Sequence, residues 1–254
     1  MKAMILAAGL GTRLRPLTND RPKALVEIGG RTLLEITLCR LRQFGVHEVI
    51  INAHHFAEMM IEYLREHNDF GMSIEISRED LLLDTGGGLK KAAHFFLRDS
   101  GHPEESFLLH NVDVISTIDL ERMLRFHTDQ HALATLAVQE RRTSRYLLFD
   151  GRLELCGRKI VSEKSNIDLA VPAGHQVPPL SELAFSGVHV ISPRLLSMIT
   201  EEGIFSIIAT YLRLAAQGER ILGFRADEYY WRDLGKPENV AQVAEDLRTG
   251  IVSL

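Results

Sequence analysis

Glycines and cationic side chains are concentrated in one short segment near the N-terminus. The segment reads AGLGTRLRPLT and is followed by RPKAL, which places Gly9, Gly11, Arg13 and Lys23 close together in the chain. Glycine lets a backbone approach a ligand closely, and successive N–H groups of such a loop, including that of Thr12, can bind an anion. Arginine adds a fixed charge with forked donors that suits phosphate. The segment therefore predicts a phosphate-binding loop.

Two familiar glycine-rich motifs do not explain this loop. Leu14 occupies the position at which a dinucleotide-binding fingerprint has its third glycine, and the chain contains no GxxxxGK[ST] string. Pro16 and Pro22 also prevent the loop from passing directly into a helix. A tight turn between a strand and a helix, with arginines on the surface, stays open as a purely structural alternative.

The first half of the chain alternates short apolar segments with amphipathic ones. We predict strands at residues 2–8, 48–53, 72–77 and 107–110, and helices at residues 32–44, 56–67 and 89–97. Apolar strands that alternate with helices favour a parallel sheet that is buried on both faces. Ligands bind at the carboxyl ends of the strands in such sheets, which is where the glycine-rich loop begins.

The second half of the chain has a different character. We predict strands at residues 132–139, 146–150 and 183–191, a long loop or lid at residues 166–181, and helices at residues 193–200, 205–217 and 237–249. The prediction for residues 1–254 is a single α/β domain. It has a Rossmann-like, mixed and mostly parallel sheet covered by helices on both faces, with a smaller second lobe.

Composition excludes several classes of protein. The formal net charge of -5 argues against a nucleic-acid-binding protein, which normally has a basic face. Cys39 and Cys156 are the only cysteines and form no CxxC motif, which fits a reducing cytoplasm and disfavours a structural zinc site. No segment approaches the roughly 20 apolar residues that a membrane span needs. We therefore expect a cytoplasmic protein that uses neither nucleic acid nor membrane as a partner.

The glycine-rich segment resembles the signature of the sugar-phosphate nucleotidylyltransferases, GxGTRxRPxT followed by xPKAL. Weaker motifs of that family follow in the family's order, namely DTGGG at residues 84–88, HNVD at 110–113, FSG at 185–187 and WRDLG at 231–235. The resemblance extends over nearly the whole chain. It is greatest to short members such as the N-acetylmuramate 1-phosphate uridylyltransferases and the heptose or mannose 1-phosphate guanylyltransferases.

This resemblance implies a fold and a reaction. The fold is that of the nucleotide-diphospho-sugar transferases, in which residues 1–131 would mainly bind the nucleotide and residues 132–254 would mainly bind the sugar. The reaction would join a nucleoside triphosphate, UTP or GTP, to a sugar 1-phosphate and release pyrophosphate. Two polyanions must meet in such a reaction, so the site has to neutralise charge and align the reactants.

The resemblance also assigns the residues that perform the chemistry. Arg13 would hold the β- and γ-phosphates, and Lys23 would stabilise charge between the α-phosphate and the incoming sugar phosphate. Asp113 and Asp233 would hold Mg²⁺, which prefers oxygen ligands and retains several waters. Val112, between Asn111 and Asp113, stands where relatives more commonly have glycine.

Further residues are expected to face the two substrates. Those expected to face the nucleotide are Leu6, Ala8, Gly9, Gly11, Thr12, Glu79, Asp84, Gly86 and Gly87, with Asn52 as an additional candidate. Ser186 and Gly187 are expected to contact the sugar. Residues 163–165 (EKS) are similar to a Glu-Lys-Pro motif that contacts the sugar in many relatives, but they are displaced by several residues, and we attribute this similarity to chance.

Three other functions stay open, and the sequence allows a homo-oligomer. One is a choline-phosphate cytidylyltransferase of the same fold. A second is a glycosyltransferase that uses nucleotide sugars; such enzymes usually carry Asp-x-Asp, whereas residue 111 here is asparagine. The third is a catalytically silent subunit that senses nucleotides, against which the presence of Arg13, Lys23, Asp113 and Asp233 argues.

Overall fold

The computed structural model describes residues 1–98, 105–162, 166–174, 176–177 and 179–253. The strands of the main sheet are β1 (Lys2–Leu6), β4 (Glu48–Ala53), β5 (Ser73–Arg78), β6 (Phe107–Asn111), β8 (Ala134–Gln139), β9 (Arg145–Phe149), β10 (Leu155–Ile160), β11 (Asn166–Leu169), β12 (Ser181–Ile191) and β13 (Ile221–Arg225). Two small ribbons pair β2 (Glu27–Ile28) with β3 (Arg31–Thr32), and β7 (Val114–Ser116) with β14 (Trp231–Asp233). The helices are α1 (Leu33–Gln43), α2 (Ala57–Glu66), α3 (Asp84–Leu97), α4 (Leu120–Asp129), α5 (Arg194–Ser197), α6 (Ile207–Ala216) and α7 (Pro237–Arg248).

The main sheet combines a parallel and a largely antiparallel part. Strand β1 lies between β4 and β6 and is parallel to both, and β5 continues the parallel part beyond β4. Strand β12 runs antiparallel to β6, β8 and β9, while β13 is parallel to β8. The predicted mixed α/β sheet is therefore confirmed, with its parallel part in the first half of the chain.

Helices cover both faces of this sheet, as the apolar character of the strands predicts. Alternate residues of β1 point to opposite faces, because side chains alternate along a strand. Ala3 and Ile5 pack in a cluster with residues of α1, α2, α4 and α7. Met4 packs in a second cluster with residues of α3, α5 and α6. No helix in the described part of the chain has the length and apolar character that crossing a membrane requires.

Local sequence explains where several helices begin and end. Helix α1 starts after Thr32, whose hydroxyl accepts a hydrogen bond of 3.0 Å from the N–H of Glu35. It ends before Gly45, which has a φ of 75°, a conformation that glycine adopts without strain. Asp119 caps α4 in the same way as Thr32, by accepting from the N–H of Arg122. Helix α7 begins with Pro237, which suits a first turn that needs no N–H group.

The structure corrects several predicted boundaries. Helix α3 begins at Asp84 rather than at residue 89, so that the glycine-rich segment forms its first turns. Helix α5 occupies only Arg194–Ser197 of the predicted helix 193–200. The predicted loop at 166–181 is wrong at its start, because Asn166–Leu169 pairs with β10 as strand β11. Helix α4 and the strands β2, β3, β7, β10, β13 and β14 were not predicted from the sequence.

Candidate active site

A cavity of about 350 Å³ opens at the carboxyl ends of β1, β4 and β6, where a parallel sheet is expected to bind its ligand. We call it the strand-end cavity. It is lined by Leu6, Ala8, Gly9, Lys23, Asn52, Glu79, Leu82, Asp84, Thr85, Asn111, Val112, Asp113 and Ile204. Of the residues predicted to face the nucleotide, Leu6, Ala8, Gly9, Glu79 and Asp84 therefore line this cavity, as does Asn52.

The floor of the strand-end cavity is fixed by a buried hydrogen-bond network. Asn52 Oδ1 accepts from the N–H groups of Ala7 and Ala8, at 2.7 and 3.3 Å. Asn52 Nδ2 donates to Glu79 Oε1 at 2.7 Å, and Glu79 Oε2 accepts from the N–H of Leu83 at 3.0 Å. The network ties the end of β1 to the segment that enters α3. Glu79 thus has a structural role that the sequence did not indicate, in addition to its predicted contact with the nucleotide.

The glycine-rich loop presents backbone donors beside this cavity. The N–H groups of Gly9, Leu10 and Gly11 donate no hydrogen bond to any described part of the chain. Gly11 has a φ of 64°, and a Cβ placed there would lie 2.9 Å from Thr18 Cγ2 and 3.4 Å from Lys23 Cβ. Glycine at position 11 therefore permits both the turn and the close approach of Lys23. Thr12 is exposed and does not line the strand-end cavity.

Lys23 and Asp113 form an ion pair at the edge of the strand-end cavity. Lys23 begins a short 3₁₀ turn after Pro22, and Asp113 lies just beyond the end of β6. Both side chains are largely buried, with exposed fractions of 12% and 17%. Burial reduces screening by water, so their charges interact strongly. The two residues that the sequence assigned to catalysis and to metal binding are thus in direct contact.

Asp233 is brought beside Asp113 by the pairing of β14 with β7. Asp233 lies opposite Val114, and the N–H of Leu234 donates to the carbonyl of Asp113 at 2.8 Å. Asp233 Oδ1 accepts from the N–H of Gly235 at 2.6 Å. A Cβ at Gly235 would lie 2.7 Å from this oxygen and 2.8 Å from Arg13 Nη2. Gly235 therefore allows the guanidinium of Arg13 to approach Asp233.

The donors around Asp113 and Asp233 suit magnesium. No group of three or more His, Cys, Asp or Glu side chains able to hold a metal occurs among the described residues. Two carboxylates are nevertheless enough for Mg²⁺, which binds through one or two of them together with water and substrate phosphates. Asn111 Oδ1 is a further oxygen in this region, and it is buried without a hydrogen-bond partner in the described part of the chain.

A second cavity, of about 640 Å³, lies on the side of Arg13 and Asp233. We call it the cationic cavity. It is lined by Arg13, Gln139, Glu140, Arg141, Arg142, Thr143, Asp227, Tyr229, Tyr230, Trp231, Arg232, Asp233, Lys236 and Asn239. Two of its acids are neutralised from outside, because Glu140 and Asp227 pair with Arg225 at 3.4 and 2.5 Å. The remaining side chains give the cavity a positive character.

Gly86 and Gly87 do not line either cavity. Both are buried, and both N–H groups point to the carbonyl oxygen of Phe205, at 2.9 and 3.3 Å. A Cβ at Gly86 would lie 2.3 Å from the Phe205 ring, and one at Gly87 would lie 2.6 Å from the carbonyl oxygen of Gly203. These glycines serve the packing of α3 against the 203–205 segment, and the geometry does not support their predicted contact with the nucleotide.

Ser186 and Gly187 also have a structural role, because both are buried within the fold. Ser186 is fully buried, and its hydroxyl lies 3.4 Å from Gln139 Oε1. The pairing of β12 with β8 shifts register between Phe185 and His189, and Gly187 has a φ of 76° within this bulge. A Cβ at Gly187 would lie 3.0 Å from Asn111 Nδ2. Direct contact of these side-chain positions with a sugar is therefore not supported.

Other residues of the two cavities were not predicted from the sequence. Arg141 and Lys236 were not among the predicted site residues, and Trp231 was noted only as part of the WRDLG motif, although the paired arginines RR at 141–142 begin two residues after the predicted strand 132–139. Val112 is buried in the core and its N–H donates to the carbonyl of Leu6 at 3.1 Å, so a larger residue than glycine is accommodated there. Residues 163–165 lie outside the described residues.

Comparison with solved structures identifies the fold. The structure of HddC from Yersinia pseudotuberculosis complexed with GMP-PN matches with a TM-score of 0.73 at 21% identity, over 97% of this chain and 99% of that one. The inositol-1-phosphate CTP transferase from T. maritima matches with a TM-score of 0.73 at 16% identity, over 99% and 98% of the two chains.

Comparison of sequences identifies relatives over most of the chain. The N-acetylmuramate alpha-1-phosphate uridylyltransferase of Caulobacter vibrioides is 33% identical, over 97% of this chain and 96% of its own length. A mannose-1-phosphate guanyltransferase of Yarrowia lipolytica is 29% identical over 94% of this chain, which spans 62% of that protein. The model of the nucleotidyl transferase family matches residues 2–250. The chain therefore belongs to the nucleotidyl transferase family.

Proposed function

We propose that this protein is a sugar-1-phosphate nucleotidylyltransferase, which transfers a nucleoside monophosphate from UTP or GTP to a sugar 1-phosphate. The observation that carries the proposal is the contact of Lys23 with Asp113 at the strand ends, with Asp233 and Arg13 beside them. Positive charge and a pair of carboxylates on one edge of a parallel sheet suit the transfer of a nucleotidyl group between two polyanions. The relatives include a uridylyltransferase and a guanyltransferase, which supports UTP and GTP as the candidate donors.

The reaction is an in-line displacement at the α-phosphorus. An oxygen of the sugar phosphate forms a bond to this phosphorus, and the bond to the oxygen that bridges the α- and β-phosphates breaks. Pyrophosphate leaves with that electron pair. The attacking phosphate is already ionised near neutral pH, so the step requires no protein base. Alignment and charge neutralisation then supply most of the catalysis.

Each residue has a separate task in this proposal. Lys23 stabilises the negative charge that develops around the α-phosphorus, and Arg13 holds the β- and γ-phosphates. The free N–H groups of Gly9 and Gly11 offer additional donors for phosphate oxygens. Asp113 and Asp233 would hold Mg²⁺, which when bound offsets phosphate charge and orients the phosphate oxygens. Glu79 and Asn52 define the surface against which the base and ribose lie.

The cytoplasm is the compartment that we propose for this reaction. Both cysteines are free, Cys39 half-buried and Cys156 buried. Unpaired thiols fit a reducing environment. Burial raises the pKa of the Cys156 thiol, which keeps it protonated and unreactive.

The decisive experiment measures pyrophosphate release with each triphosphate against a panel of sugar 1-phosphates and choline phosphate. We expect release with UTP or GTP and at least one sugar 1-phosphate, dependent on Mg²⁺ and absent in Lys23→Ala. Release only with CTP and choline phosphate would replace the proposal with a cytidylyltransferase. Triphosphate binding without release in any combination would instead indicate a nucleotide-sensing subunit.

A further inference from the structure

Arg141 is held in one position at the border of the cationic cavity. It lies in the connection between β8 and β9, and its guanidinium carbon is 3.7 Å from the ring centroid of Trp231. Its Nη2 donates to the carbonyl oxygen of Phe185, in strand β12, at 2.6 Å. Stacking on an aromatic ring and a hydrogen bond to the backbone together restrict a side chain that is otherwise long and flexible.

The bulge in β12 anchors both members of this stacked pair. Phe185, at one end of the register shift, supplies the carbonyl that Arg141 contacts. Ser186, the next residue, accepts from Trp231 Nε1 at 2.7 Å. The buried FSG segment therefore orients the Arg141–Trp231 pair through its backbone, and Gly187 with its positive φ allows the bulge to form.

Arg141 has no carboxylate within 4.0 Å in the described part of the chain, although its side chain is partly buried and its Nε is buried without a hydrogen-bond partner there. Burial lowers the pKa of Arg141, and the charge of Asp233 opposes this shift. A buried charge without a partner destabilises a protein unless something neutralises it. Arg142 and Lys236 also line this cavity and have no ion-pair partner among the described residues. The arrangement is that of a site for an anionic ligand.

We propose that Arg141, stacked on Trp231, binds the phosphate group of the sugar 1-phosphate acceptor. This inference rests on the proposed function. The strand-end cavity and the cationic cavity share no lining residue in the described part of the chain, so the base and ribose can lie in the first while phosphate groups of both substrates reach the second, which Arg13 and Arg141 both line. In an in-line displacement the attacking and leaving oxygens lie on opposite sides of the α-phosphorus. Arg13, on the glycine-rich loop, then serves the leaving pyrophosphate, and Arg141, from the second half of the chain, serves the attacking group.

Arg141 assists the in-line displacement at the α-phosphorus. The acceptor's phosphate oxygen forms the bond to the α-phosphorus, and pyrophosphate leaves with the electrons of the broken bond. Arg141 exchanges no proton and forms no covalent bond. It holds the acceptor phosphate and reduces its repulsion from the triphosphate.

The test compares Arg141→Ala and Arg141→Lys with the parent enzyme, using the sugar 1-phosphate that the parent uses best. We expect Arg141→Ala to raise the KM for the sugar phosphate about 10- to 100-fold, because a charge-assisted hydrogen bond is lost. The KM for the triphosphate should stay within about twofold of the parent value, since the substitution removes no contact with that substrate. Arg141→Lys should recover only part of the loss, because lysine lacks the planar, forked donors.

Arg152→Ala is the matched control, because Arg152 is in the same half of the chain and its side chain is 80% exposed. Binding of the triphosphate, measured by calorimetry, shows that each variant is folded; if Arg141→Ala is not, Arg141→Lys carries the test. An unchanged KM for the sugar phosphate would overturn the inference alone, as would equal increases for both substrates. Absence of turnover by the parent with every sugar phosphate would instead overturn the proposed function.

Discussion

The two cavities differ in how their polar groups are neutralised. In the strand-end cavity, Asn52 and Glu79 satisfy one another and the adjacent backbone, and Lys23 pairs with Asp113. In the cationic cavity, Arg13, Arg142 and Lys236 have no ion-pair partner in the part of the chain that the structure describes. The first surface is set by internal hydrogen bonds, whereas the second has cationic side chains that remain available to a ligand.

This difference suits the two kinds of chemistry that nucleotidyl transfer requires. A base and a ribose are neutral groups, and fixed hydrogen-bonding groups can distinguish them without much rearrangement. Phosphate groups carry most of the charge, and forked guanidinium groups bind them through charge-assisted hydrogen bonds. The parallel strand ends form the first surface. The end of β8 with the connection that follows it, and β14 with its flanking segments, line much of the second.

The largest effect is expected at Asp233. This residue lines the cationic cavity and lies next to Asp113, which lines the strand-end cavity. We predict that Asp233→Ala abolishes Mg²⁺-dependent activity, since the metal site would lose one of its two carboxylates. Activity measured across a Mg²⁺ titration tests this. Asp227→Asn is the control, because Asp227 lines the same cavity but pairs with Arg225. Retained activity of Asp233→Ala at ordinary Mg²⁺ levels would remove the metal assignment.

Lys23→Ala should have the next largest effect. Turnover should fall by roughly 10²- to 10³-fold, as expected for the loss of a charge that stabilises a transition state. Affinity for the triphosphate should fall much less, because the base and ribose contacts of the strand-end cavity remain. Single-turnover rates and calorimetric affinities separate these quantities, with Lys159→Ala as the control, because Lys159 pairs with Glu182 in the second half of the chain. Weak binding combined with normal turnover of the bound fraction would contradict the role given to Lys23.

Two glycines of the first half should respond differently to substitution. A Cβ at Gly86 would lie 2.3 Å from the Phe205 ring, so Gly86→Ala should lower the free energy of unfolding by about 1–3 kcal/mol. At Gly9 a Cβ would meet nothing within 4 Å, so Gly9→Ala should leave stability nearly unchanged and weaken triphosphate binding instead. Chemical denaturation and calorimetry distinguish the two. A normal stability of Gly86→Ala would contradict the packing role assigned to that residue.

The smallest predicted effect concerns pH and the seam between the two parts of the sheet. His110 on β6 and His189 on the adjacent β12 are buried, and burial lowers their pKa to about 4 and about 3. The folded state therefore favours their neutral forms. Their contribution to stability is complete above the ordinary histidine pKa of about 6.5 and is lost as the pH falls from there towards 4.

Denaturation at several pH values tests this prediction. The free energy of unfolding should decrease as the pH is lowered from 7 to about 4.5, and His189→Gln should reduce that dependence. His47→Gln is the control, because His47 is exposed. An identical pH dependence in the His189 variant and the parent would show that the buried histidines do not account for acid sensitivity.

The sequence by itself determined most elements of the first half of the chain and the position of the loop that carries the cationic residues. Apolar strands separated by amphipathic helices predicted the α/β sheet, and the spacing of Gly9, Gly11, Arg13 and Lys23 predicted a phosphate-binding loop. The α/β sheet is confirmed, because side-chain periodicity depends on residues near each other in the chain, whereas phosphate binding by the loop stays a prediction. The pairing of Asp113 with Asp233 was expected only through resemblance to a family.

Tertiary structure alone decided which of the predicted residues face a cavity. Gly86 and Gly87 became packing positions because α3 approaches the 203–205 segment, which is distant in the chain. Ser186 was buried by the bulge of β12, and the same bulge placed Arg141 on Trp231. Such contacts join residues that are far apart in sequence. Their geometry depends on how whole elements pack, and the side-chain period of a single strand or helix does not predict that packing.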